Sequence, residues 1–478
     1  MIAAERMTPE REVLWTAADA AAATGGHATR AWAASGVTLD SRAVTPGDLF
    51  VAVRGERTDG HRFVADALRR GAAAAVVDRL PEDVAPDAPL LRVADTAAAL
   101  DGLAAAGRAR GRARVIAVTG SVGKTGVKDA LAHVLGAQGP THAAAKSYNN
   151  RWGVPLTLAQ LPPRAHHAVL ELGMNAPGEI AGLSRLVRPD VVVITAIAPA
   201  HIEALGSEAA IAEEKASIAT GAGAGATAVV PRDTPHAATL AARAREHGLA
   251  RVISFGRDPN ATVRLVEAQT GAGGSTVTAA LGERHLTFRV GVPGDHWVTN
   301  ALAVLAAVAA AGADPGAAAA SLGELTPPPG RGRVHTIAVP GGDATLIDDS
   351  YNANPASMRA ALALLGRHTP GDRGRRVAVL ADMLELGEHS EPEHAGLAEP
   401  VRESGAELVF TAGAAMRALA DALPAGVHAG HAAAADALAA TVGAALRPGD
   451  VVLVKGSAGA RAGALAEALR TSDAGEGA

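Results

Sequence analysis

The chain contains no cysteine and few aromatic residues. Of its 478 residues, none is Cys and only 2% are Phe, Trp or Tyr. Without cysteine there can be neither a disulfide framework nor a thiolate metal site, which suits the cytoplasm. The sparse aromatics and a net charge of −5 provide neither the base-stacking platforms nor the basic face that nucleic-acid binding requires. The composition therefore excludes nucleic acid as an expected partner.

Long apolar runs are also scarce. The alanine-rich stretch at 301–313 is too short to span a bilayer and is followed by a Pro-Gly break, so it predicts a buried helix. The stretch at 1–15 carries charges of both signs where a signal peptide would need an apolar run, and we expect no export signal. These features predict a globular protein of the cytoplasm with no membrane span, and we expect it to be a monomer.

The segment VIAVTGSVGKTGVKD at 115–129 passes from β-branched residues through glycines to a lysine and a threonine. This order predicts a buried strand, a turn whose N–H groups face an anion, and a helix beginning near Lys124. Lys124 would supply positive charge, and the Thr125 hydroxyl would ligate Mg²⁺. We predict an ATP or GTP site formed by Thr119, Gly120, Ser121, Val122, Gly123, Lys124 and Thr125. Val118 departs from the longer glycine-loop pattern, and the plain alternative is a glycine turn beside a surface lysine.

Strand-like and helix-like segments alternate along most of the chain. A parallel sheet with crossover helices is predicted from strand-like runs at 114–118, 167–171, 190–196, 226–230 and 251–255. Residues 262–290 predict an antiparallel excursion, and 297–312 an alanine-rich helix. A Pro-Gly cluster at 326–333 predicts a linker, after which the rhythm restarts and predicts a second doubly wound domain.

Two polar residues follow strands of the predicted central sheet. Glu171 ends one strand and His201 follows another, and ligands of open α/β sheets collect beyond such strand ends. The carboxylate of Glu171 suits magnesium, whereas His201 taken alone is equally well a core histidine. Lys215 lies on a predicted helix beside two glutamates, where a solvated helix face is the plain alternative.

Other polar residues have structural interpretations of equal standing. Asn149 and Asn150 lie in a loop and could serve only to form a turn. Asp349 and Asp382 end predicted strands, where a carboxylate can bind a ribose hydroxyl or cap the next helix. Lys455 follows a buried strand and could face either an anionic ligand or solvent.

Taken in order, these motifs resemble those of the Mur ligases. They are TGSVGKT (119–125), Asn149-Asn150, ELGMN (171–175), His201, Lys215, GDHWVTNA (294–301), DDSYNANP (348–355) and LVKGS (453–457). The resemblance covers nearly the whole chain and implies an α/β fold of three domains. These would be a small N-terminal α/β domain for a UDP-sugar at 1–94, a central phosphate-loop ATPase domain with a parallel sheet at 95–328, and a C-terminal Rossmann-like ligase domain at 329–478. The last would close over the nucleotide about a hinge near 328.

The resemblance also implies an activity. DDSYNANPASM and LADMLELGEHS are similar to the branch of the family that joins D-alanyl-D-alanine to UDP-N-acetylmuramoyl-tripeptide in peptidoglycan precursor synthesis. In that reaction the tripeptide carboxylate attacks the γ-phosphate of ATP, and the amine of D-alanyl-D-alanine attacks the resulting acyl phosphate.

Three alternatives are weighed against this one. The ligase that adds the third amino acid usually carries an Asp-Asn-Pro-Arg motif where this chain has TAGAAM at 411–416. A folate-polyglutamating relative would not explain the N-terminal segment. A phosphate-loop switch or scaffold protein would need only residues 115–129.

The family pattern assigns roles to individual residues. Lys124, Lys215 and His201 are the expected catalytic residues, with Lys215 carbamylated. Thr125 would serve one Mg²⁺ ion, while Glu171, His201 and Lys215 would serve the second. Asn300 is expected near adenine, Asp349 near ribose, and Arg331 or Arg333 near the phosphates. The expected substrate-binding residues are Ser41, Glu56, Arg57, Thr58, Asn149, Asn150, Tyr351, Asn352 and Lys455.

Overall fold

The computed structural model of the protein describes residues 12–55, 58–198, 205–271 and 273–471. Within these ranges three larger β-sheets follow one another along the chain, each accompanied by helices. The predicted α/β fold class is confirmed. Glu56, Arg57 and His201, three of the expected site residues, lie outside the described residues.

The first sheet is built from short strands. A ribbon of β1 (Trp15–Thr16) and β3 (Ala33–Ala34) flanks it. The sheet itself has the order β2-β7-β6-β5-β4, formed by β2 (His27–Ala28), β4 (Gly36–Thr38), β5 (Asp48–Val51), β6 (Ala74–Val77) and β7 (Leu90–Arg92). Only the β2 pairing is antiparallel among the described strands of this sheet. Its helices are α1 (Ala17–Thr24), α2 (Val64–Arg69) and α3 (Thr96–Arg110).

The second sheet is mixed, with the order β16-β15-β14-β13-β12-β11-β8-β10-β9 in the described part of the chain. Its strands are β8 (Arg114–Thr119), β9 (Thr141–Ala143), β10 (His167–Glu171), β11 (Val191–Ile194), β12 (Thr227–Pro231), β13 (Arg251–Gly256), β14 (Val263–Gly271), β15 (Gly274–Leu281) and β16 (Arg284–Val290). The strands from β8 to β14 pair in parallel, and β14 to β16 form the predicted antiparallel excursion. Strands β9 and β10 lie on one side of β8, and β11 and β12 lie on the other, so the strand order reverses at β8. Open α/β sheets bind ligands at such a switch point.

Helices cover both faces of this sheet. They are α4 (Lys124–Gly136), α5 (Gly153–Ala159), α6 (Glu179–Val187), α7 (Glu208–Ala216), α8 (Ala237–Glu246), α9 (Asp295–Ala311) and α10 (Pro315–Ser321). Ile116 and Val118 of β8 pack in one core cluster with α4 and α9, whereas Val115 and Ala117 pack in another with α5 and α6. A strand buried on both faces explains why 115–118 reads as an unbroken apolar run. The two cores hold β8 rigidly in place.

The third sheet has the order β17-β18-β22-β19-β20-β21 in the described residues. Its strands are β17 (Arg333–Val339), β18 (Gly342–Asp349), β19 (Arg376–Ala381), β20 (Leu408–Ala412), β21 (His428–Ala432) and β22 (Val451–Lys455). All pair in parallel except β17, which pairs antiparallel to β18. Its helices are α11 (Pro355–Arg367), α12 (Ser390–Ala395), α13 (Ala398–Ser404), α14 (Arg417–Ala422), α15 (Ala439–Ala445) and α16 (Ala462–Thr471). The predicted second doubly wound unit is therefore present.

The strand predictions for the central sheet are confirmed, with small differences in length. The strand predicted at 190–196 ends at Ile194, and the helix predicted at 297–312 spans 295–311. In the second and third sheets, three of the described strands were not predicted: β9, β17 and β21. β9 has only three residues, β21 reads HAGHA without a β-branched residue, and β17 begins directly after the Pro-Gly linker. Pairing with a neighbouring strand, rather than local propensity, makes these segments extended.

Helices α3 and α5 join the first sheet to the second. Ala99, Leu100 and Leu103 of α3, with Leu156 of α5, belong to the core of the first sheet. The indole Nε1 of Trp15 donates a hydrogen bond of 2.8 Å to the carbonyl of Ala159 at the end of α5. The first sheet therefore shares its core with helices that also pack on the second. The boundaries at 94 and 328 stay predictions.

The alanine-rich helix α9 is buried on nearly all sides in the core, as predicted. No helix among the described residues combines the length and apolar character needed to cross a membrane.

Candidate active site

The loop 119–125 joins β8 to α4 and closely approaches the end of β11. Gly120 and Gly123 have φ values of +149° and +85°, in the region that favours glycine. A Cβ atom on Gly120 would lie 2.1 Å from Oγ1 of Thr195, which itself donates to the carbonyl of Val122 at 2.5 Å. The glycine therefore permits the contact that fixes the loop against β11.

Replacing Gly120 by alanine should displace this loop. Because catalytic groups displaced by about 1 Å lose much of their effect, we expect turnover to fall roughly 10²-fold. Steady-state kinetics and titration with ADP would measure the loss. Gly182→Ala is the matched control, because a Cβ at this position in α6 meets nothing within 4 Å. An equal loss in both variants would contradict the role given to the loop.

Lys124 begins α4 and folds back over the loop. Its Nζ donates to the carbonyl oxygens of Gly120 at 2.7 Å and Ser121 at 3.3 Å. Burial lowers the pKa of Lys124, while Glu171 raises it and Arg331 lowers it. The ammonium thus lies at the N-terminus of α4 beside the glycine turn, two features that favour an anion.

The side chains of Thr125, Asn149 and Glu171 meet beside this loop. Glu171 lies opposite Val118 in the β10–β8 pairing, and its carboxylate points to the start of α4. Thr125 Oγ1 donates to Oε2 of Glu171 at 2.8 Å, and Asn149 Nδ2 donates to Oε1 at 2.7 Å. Asn149 therefore does more than form a turn. Asn150 does serve the turn, because its Oδ1 accepts from the backbone N–H groups of Trp152 and Gly153.

Lys215 is buried in α7, with only 1% of its surface exposed. The interpretation as a solvated helix face is therefore wrong. Its neighbours do face outward: Glu213 pairs with Arg243, and Glu214 accepts from the N–H groups of Gly178 and Ile180. Burial, with the positive charge of Lys124, lowers the pKa of Lys215 to about 7 against the opposing effects of Glu214 and Glu171. At neutral pH a large fraction of this amine is unprotonated.

A second group of side chains comes from the C-terminal sheet. Asp349 ends β18 and lies opposite Lys455 of β22 in the strand register. Lys455 is 2% exposed, and its Nζ lies 2.7 Å from Oδ2 of Asp349 and 3.0 Å from the carbonyl of Asn352. The alternative in which Lys455 faces solvent is therefore wrong. The guanidinium carbon of Arg331 lies 4.0 Å from the ring centroid of Tyr351.

These groups line one cleft of about 720 Å³ between the second and third sheets. The expected site residues that line it are Ser121, Val122, Gly123, Lys124, Thr125, Asn149, Asn150, Glu171, Asn300, Arg331, Asp349, Tyr351, Asn352 and Lys455. Thr119, Gly120 and Lys215 are not among the residues that line it. Arg333 instead lies exposed on β17, so Arg331 is the arginine of this pair that faces the cleft.

Ser41 and Thr58 do not line this cleft. Both belong to the N-terminal part of the chain, where Ser41 begins a short 3₁₀ turn capped by Asp40. Asp382 also takes a structural role, because its carboxylate accepts from the backbone N–H of Met416 at 2.9 Å. Its alternative as a ribose ligand is not supported by this contact.

Sequence reasoning missed His296 and Ser457, which also line the cleft. His296 precedes Asn300 by four residues on α9, so the two share a helix face, and that spacing could have identified it. Burial lowers the pKa of His296, while Asp349 raises it and Lys455 lowers it. Ser457 accepts from the N–H of Leu384 at 3.0 Å and is not distinguishable in sequence from any small residue after a strand.

A hydroxyl and a carboxylate oxygen meet in the part of the cleft that could hold a metal ion. No group of three or more His, Asp or Glu side chains with metal-site geometry occurs among the described residues. Mg²⁺ does not need such a group, because it commonly takes one or two protein oxygens together with phosphate and water. Thr125 and Glu171 supply such oxygens beside the phosphate loop.

Family models match three successive segments of the chain. Residues 33–108 match the Mur ligase family catalytic domain, residues 118–308 the Mur ligase middle domain, and residues 332–458 the Mur ligase glutamate ligase domain.

The curated relatives agree with these matches. The UDP-N-acetylmuramoyl-tripeptide–D-alanyl-D-alanine ligase of Escherichia coli is 37% identical over 82% of this chain and 84% of its own length. The enzyme of the same name from Synechocystis is 34% identical over 91% of each chain.

Solved structures resemble the whole fold. The structure of MurF from Acinetobacter baumannii superposes with a TM-score of 0.82 at 30% identity, covering 96% of this chain and 99% of that one. MurF from Thermotoga maritima in complex with ADP gives a TM-score of 0.74 at 26% identity, covering 91% and 97%. With three domain matches and relatives this similar along most of its length, the chain belongs to the Mur ligase family.

Proposed function

We propose that the protein is an ATP-dependent, ADP-forming ligase that joins D-alanyl-D-alanine to UDP-N-acetylmuramoyl-tripeptide. The observation that carries this proposal is that the phosphate loop faces Asp349 and Lys455 of the C-terminal sheet across one shared cleft. Such a cleft brings a nucleotide and two further reactants together. The relatives that are 34–37% identical to the chain bear the name of this ligase.

The reaction has two steps. In the first, a carboxylate oxygen of the tripeptide attacks the γ-phosphorus of ATP, the bond to the bridging oxygen breaks, and ADP leaves. In the second, the amine of D-alanyl-D-alanine attacks the carbonyl carbon of the acyl phosphate, an amide bond forms, and phosphate leaves with the loss of an amine proton. Neither step needs a covalent bond to the protein, so its contribution is positional and electrostatic.

Lys124 would carry most of the electrostatic contribution. Its ammonium is fixed at the phosphate loop by the carbonyls of Gly120 and Ser121, so it is already in place when negative charge shifts toward the leaving ADP. Arg331 would add positive charge from the opposite wall of the cleft. Asn300 would contact adenine, and Asp349 would contact ribose while Lys455 holds its carboxylate in place.

Thr125 is proposed to hold one Mg²⁺ ion, and Glu171 with His201 a second. Hydroxyl and carboxylate oxygens are ligands that Mg²⁺ prefers, and Oγ1 of Thr125 and Oε2 of Glu171 lie within one hydrogen bond of each other. When bound, the ions would neutralise charge on the phosphates. Asn149 donates a hydrogen bond to Oε1, the other oxygen of Glu171, and so keeps this carboxylate oriented.

Lys215 is proposed to be carbamylated. Its neutral amine would attack CO₂, and loss of a proton would leave a carbamate anion in place of a cation. The reaction requires an unprotonated amine, which a pKa of about 7 supplies. A carbamate near Lys124 and Glu171 would add a further oxygen ligand for magnesium.

The remaining residues would bind the other substrates. Ser41, Glu56, Arg57 and Thr58 are proposed for the uridine end of the UDP-sugar, and Asn149, Asn150, Tyr351, Asn352 and Lys455 for the reacting end and the dipeptide. ATP and UDP-linked sugars are metabolites of the cytoplasm, and we place the reaction there.

The alternative is the ligase that adds the third amino acid. The place where that enzyme usually has an Asp-Asn-Pro-Arg motif is occupied by a structural turn here. Gly413 has a φ of +103°, and the N–H of Met416 donates to Asp382. A solved diaminopimelate-adding ligase is only 20% identical to this chain, at a TM-score of 0.51, so that likeness shows the fold alone. The dipeptide-adding activity is the better-supported of the two.

The direct test is phosphate release with ATP, UDP-N-acetylmuramoyl-tripeptide and D-alanyl-D-alanine, leaving out each in turn. We expect sustained release only in the complete mixture, with a new amide product seen by mass spectrometry. Equal phosphate release without D-alanyl-D-alanine would rule out the ligase. Faster turnover of UDP-N-acetylmuramoyl-dipeptide with a free amino acid would favour the alternative.

A further inference from the structure

Among the described residues, three lysines are almost fully buried: Lys128, Lys215 and Lys455, at 1%, 1% and 2% exposure. The function proposed above uses the last two. Lys128 lies one turn beyond Lys124 on α4 and has no part in that chemistry. Burying an ammonium costs several kcal/mol unless it is paired, so its contacts need an explanation.

The contacts of Lys128 lead to the end of strand β9. Its Nζ donates to the carbonyl of Ala144 at 2.8 Å and lies 2.6 Å from Oδ1 of Asp129. The pairing of β9 with β10 ends at Ala143. Lys128 therefore donates to the first carbonyl group beyond the last residue pair of β9 and β10.

The loop that starts at this carbonyl carries two residues of the metal and phosphate region. Ser147 Oγ lies 3.2 Å from Oγ1 of Thr125, and Asn149 Nδ2 donates to Glu171. The carbonyl of Asn149 also accepts from the N–H of Gly173 at 2.7 Å. The loop 144–150 is thus attached to the site at its far end and to α4 at its near end.

We propose that Lys128 is a positioning residue: by holding the carbonyl of Ala144, it fixes the loop 144–150 so that Asn149 and Ser147 orient Glu171 and Thr125. The inference rests on the proposed function, because it assigns Glu171 and Thr125 to magnesium and phosphate. It gives Lys128 no contact with substrate.

Lys128→Met tests this role. Methionine has similar length and no charge, and removing one partner of an ion pair is costly chiefly when the other charge is left buried. The carboxylate of Asp129 remains partly exposed to water, and so does Ala144. We therefore expect a Tm within about 3 °C of the unsubstituted protein.

The loop itself should respond even without ligands. Hydrogen–deuterium exchange of peptides covering 144–150 should become on the order of 10-fold faster in Lys128→Met, with the rest of α4 unchanged. The affinity for ADP measured with Mg²⁺ should fall roughly 10-fold, as is typical when a residue that supports a metal ligand is replaced. The affinity measured in EDTA should stay the same. Neither measurement needs the tripeptide or the dipeptide.

Asp129→Asn is the matched control, because it removes the ion pair of Lys128 and leaves the bond to Ala144. We expect this variant to resemble the unsubstituted protein in both measurements. Equal effects of Lys128→Met and Asp129→Asn would overturn the anchoring of the loop, and so would unchanged exchange at 144–150. Loss of the folded state in Lys128→Met would also overturn it, since Lys128 would then be a stability residue. Failure of the proposed ligase reaction would appear separately, as dipeptide-independent phosphate release by the unsubstituted protein.

Discussion

Lys124→Met is expected to lower the rate of ligation by on the order of 10³-fold. The ammonium of Lys124 is held by two carbonyl groups of the phosphate loop and therefore needs no reorganisation during phosphoryl transfer. Methionine keeps the length of the side chain but cannot neutralise charge. The loss should appear in kcat with ATP, whereas the affinity for the UDP-linked substrate should change little.

A charge removed from the surface provides the control for this experiment. Arg245→Met removes a cation from the exposed side of α8, and its turnover should match that of the unsubstituted protein. Both variants should show the same Tm within a few degrees, measured by calorimetry. If Lys124→Met kept more than a tenth of the original turnover, Lys124 would not stabilise the transferring phosphoryl group.

Lys215→Ala is expected to reduce ligation by about 10²-fold or more. Alanine cannot carry a carbamate, so the proposed oxygen ligand near Glu171 is lost. Added short-chain carboxylic acids should restore part of the activity by occupying the space vacated by the side chain. Unchanged turnover, or a loss that acids cannot restore, would remove the carbamate role.

The same residue predicts a dependence on pH and CO₂. Lysine ordinarily has a pKa near 10.5, and here burial lowers the pKa to about 7. Below pH 7 the ammonium form predominates and cannot react with CO₂, so activity should fall as the pH decreases through 7. Above pH 7, added bicarbonate should restore the activity. Glu213→Ala, on the exposed side of the same helix, should retain both activity and this pH profile.

The phosphate loop could be predicted because its signals are local. Glycine, lysine and threonine follow a buried strand, and the loop conformation depends on those residue types within a few positions. The positions of Glu171 and Asp349 at the ends of strands could also be predicted, and ligands of open α/β sheets collect beyond such ends, while the roles of both residues stay predictions. The alternation of apolar strands with helices predicted the second and third sheets with their helices, whereas the domain boundaries stay predictions.

What local sequence could not show depends on contacts between distant segments. Lys215 looks solvated beside two glutamates, and only the resemblance to the Mur ligases gave it a role; packing in the fold places its side chain inward. Lys128 reads as an ordinary helix residue until β9 is seen to end beside it. β9 and β21 are extended only because a neighbouring strand pairs with them, and no propensity scale detects that.

The shared packing of α3 and α5 bears on how the protein can be divided in the laboratory. A fragment cut at residue 94 would lose Leu100, Leu103 and Leu156, leaving the apolar face beneath Trp15 open to water. Exposed apolar surface of this kind promotes aggregation. Isolated nucleotide-sugar binding should therefore be studied on a fragment extended through α5, and a shorter fragment is expected to be recovered only in insoluble form.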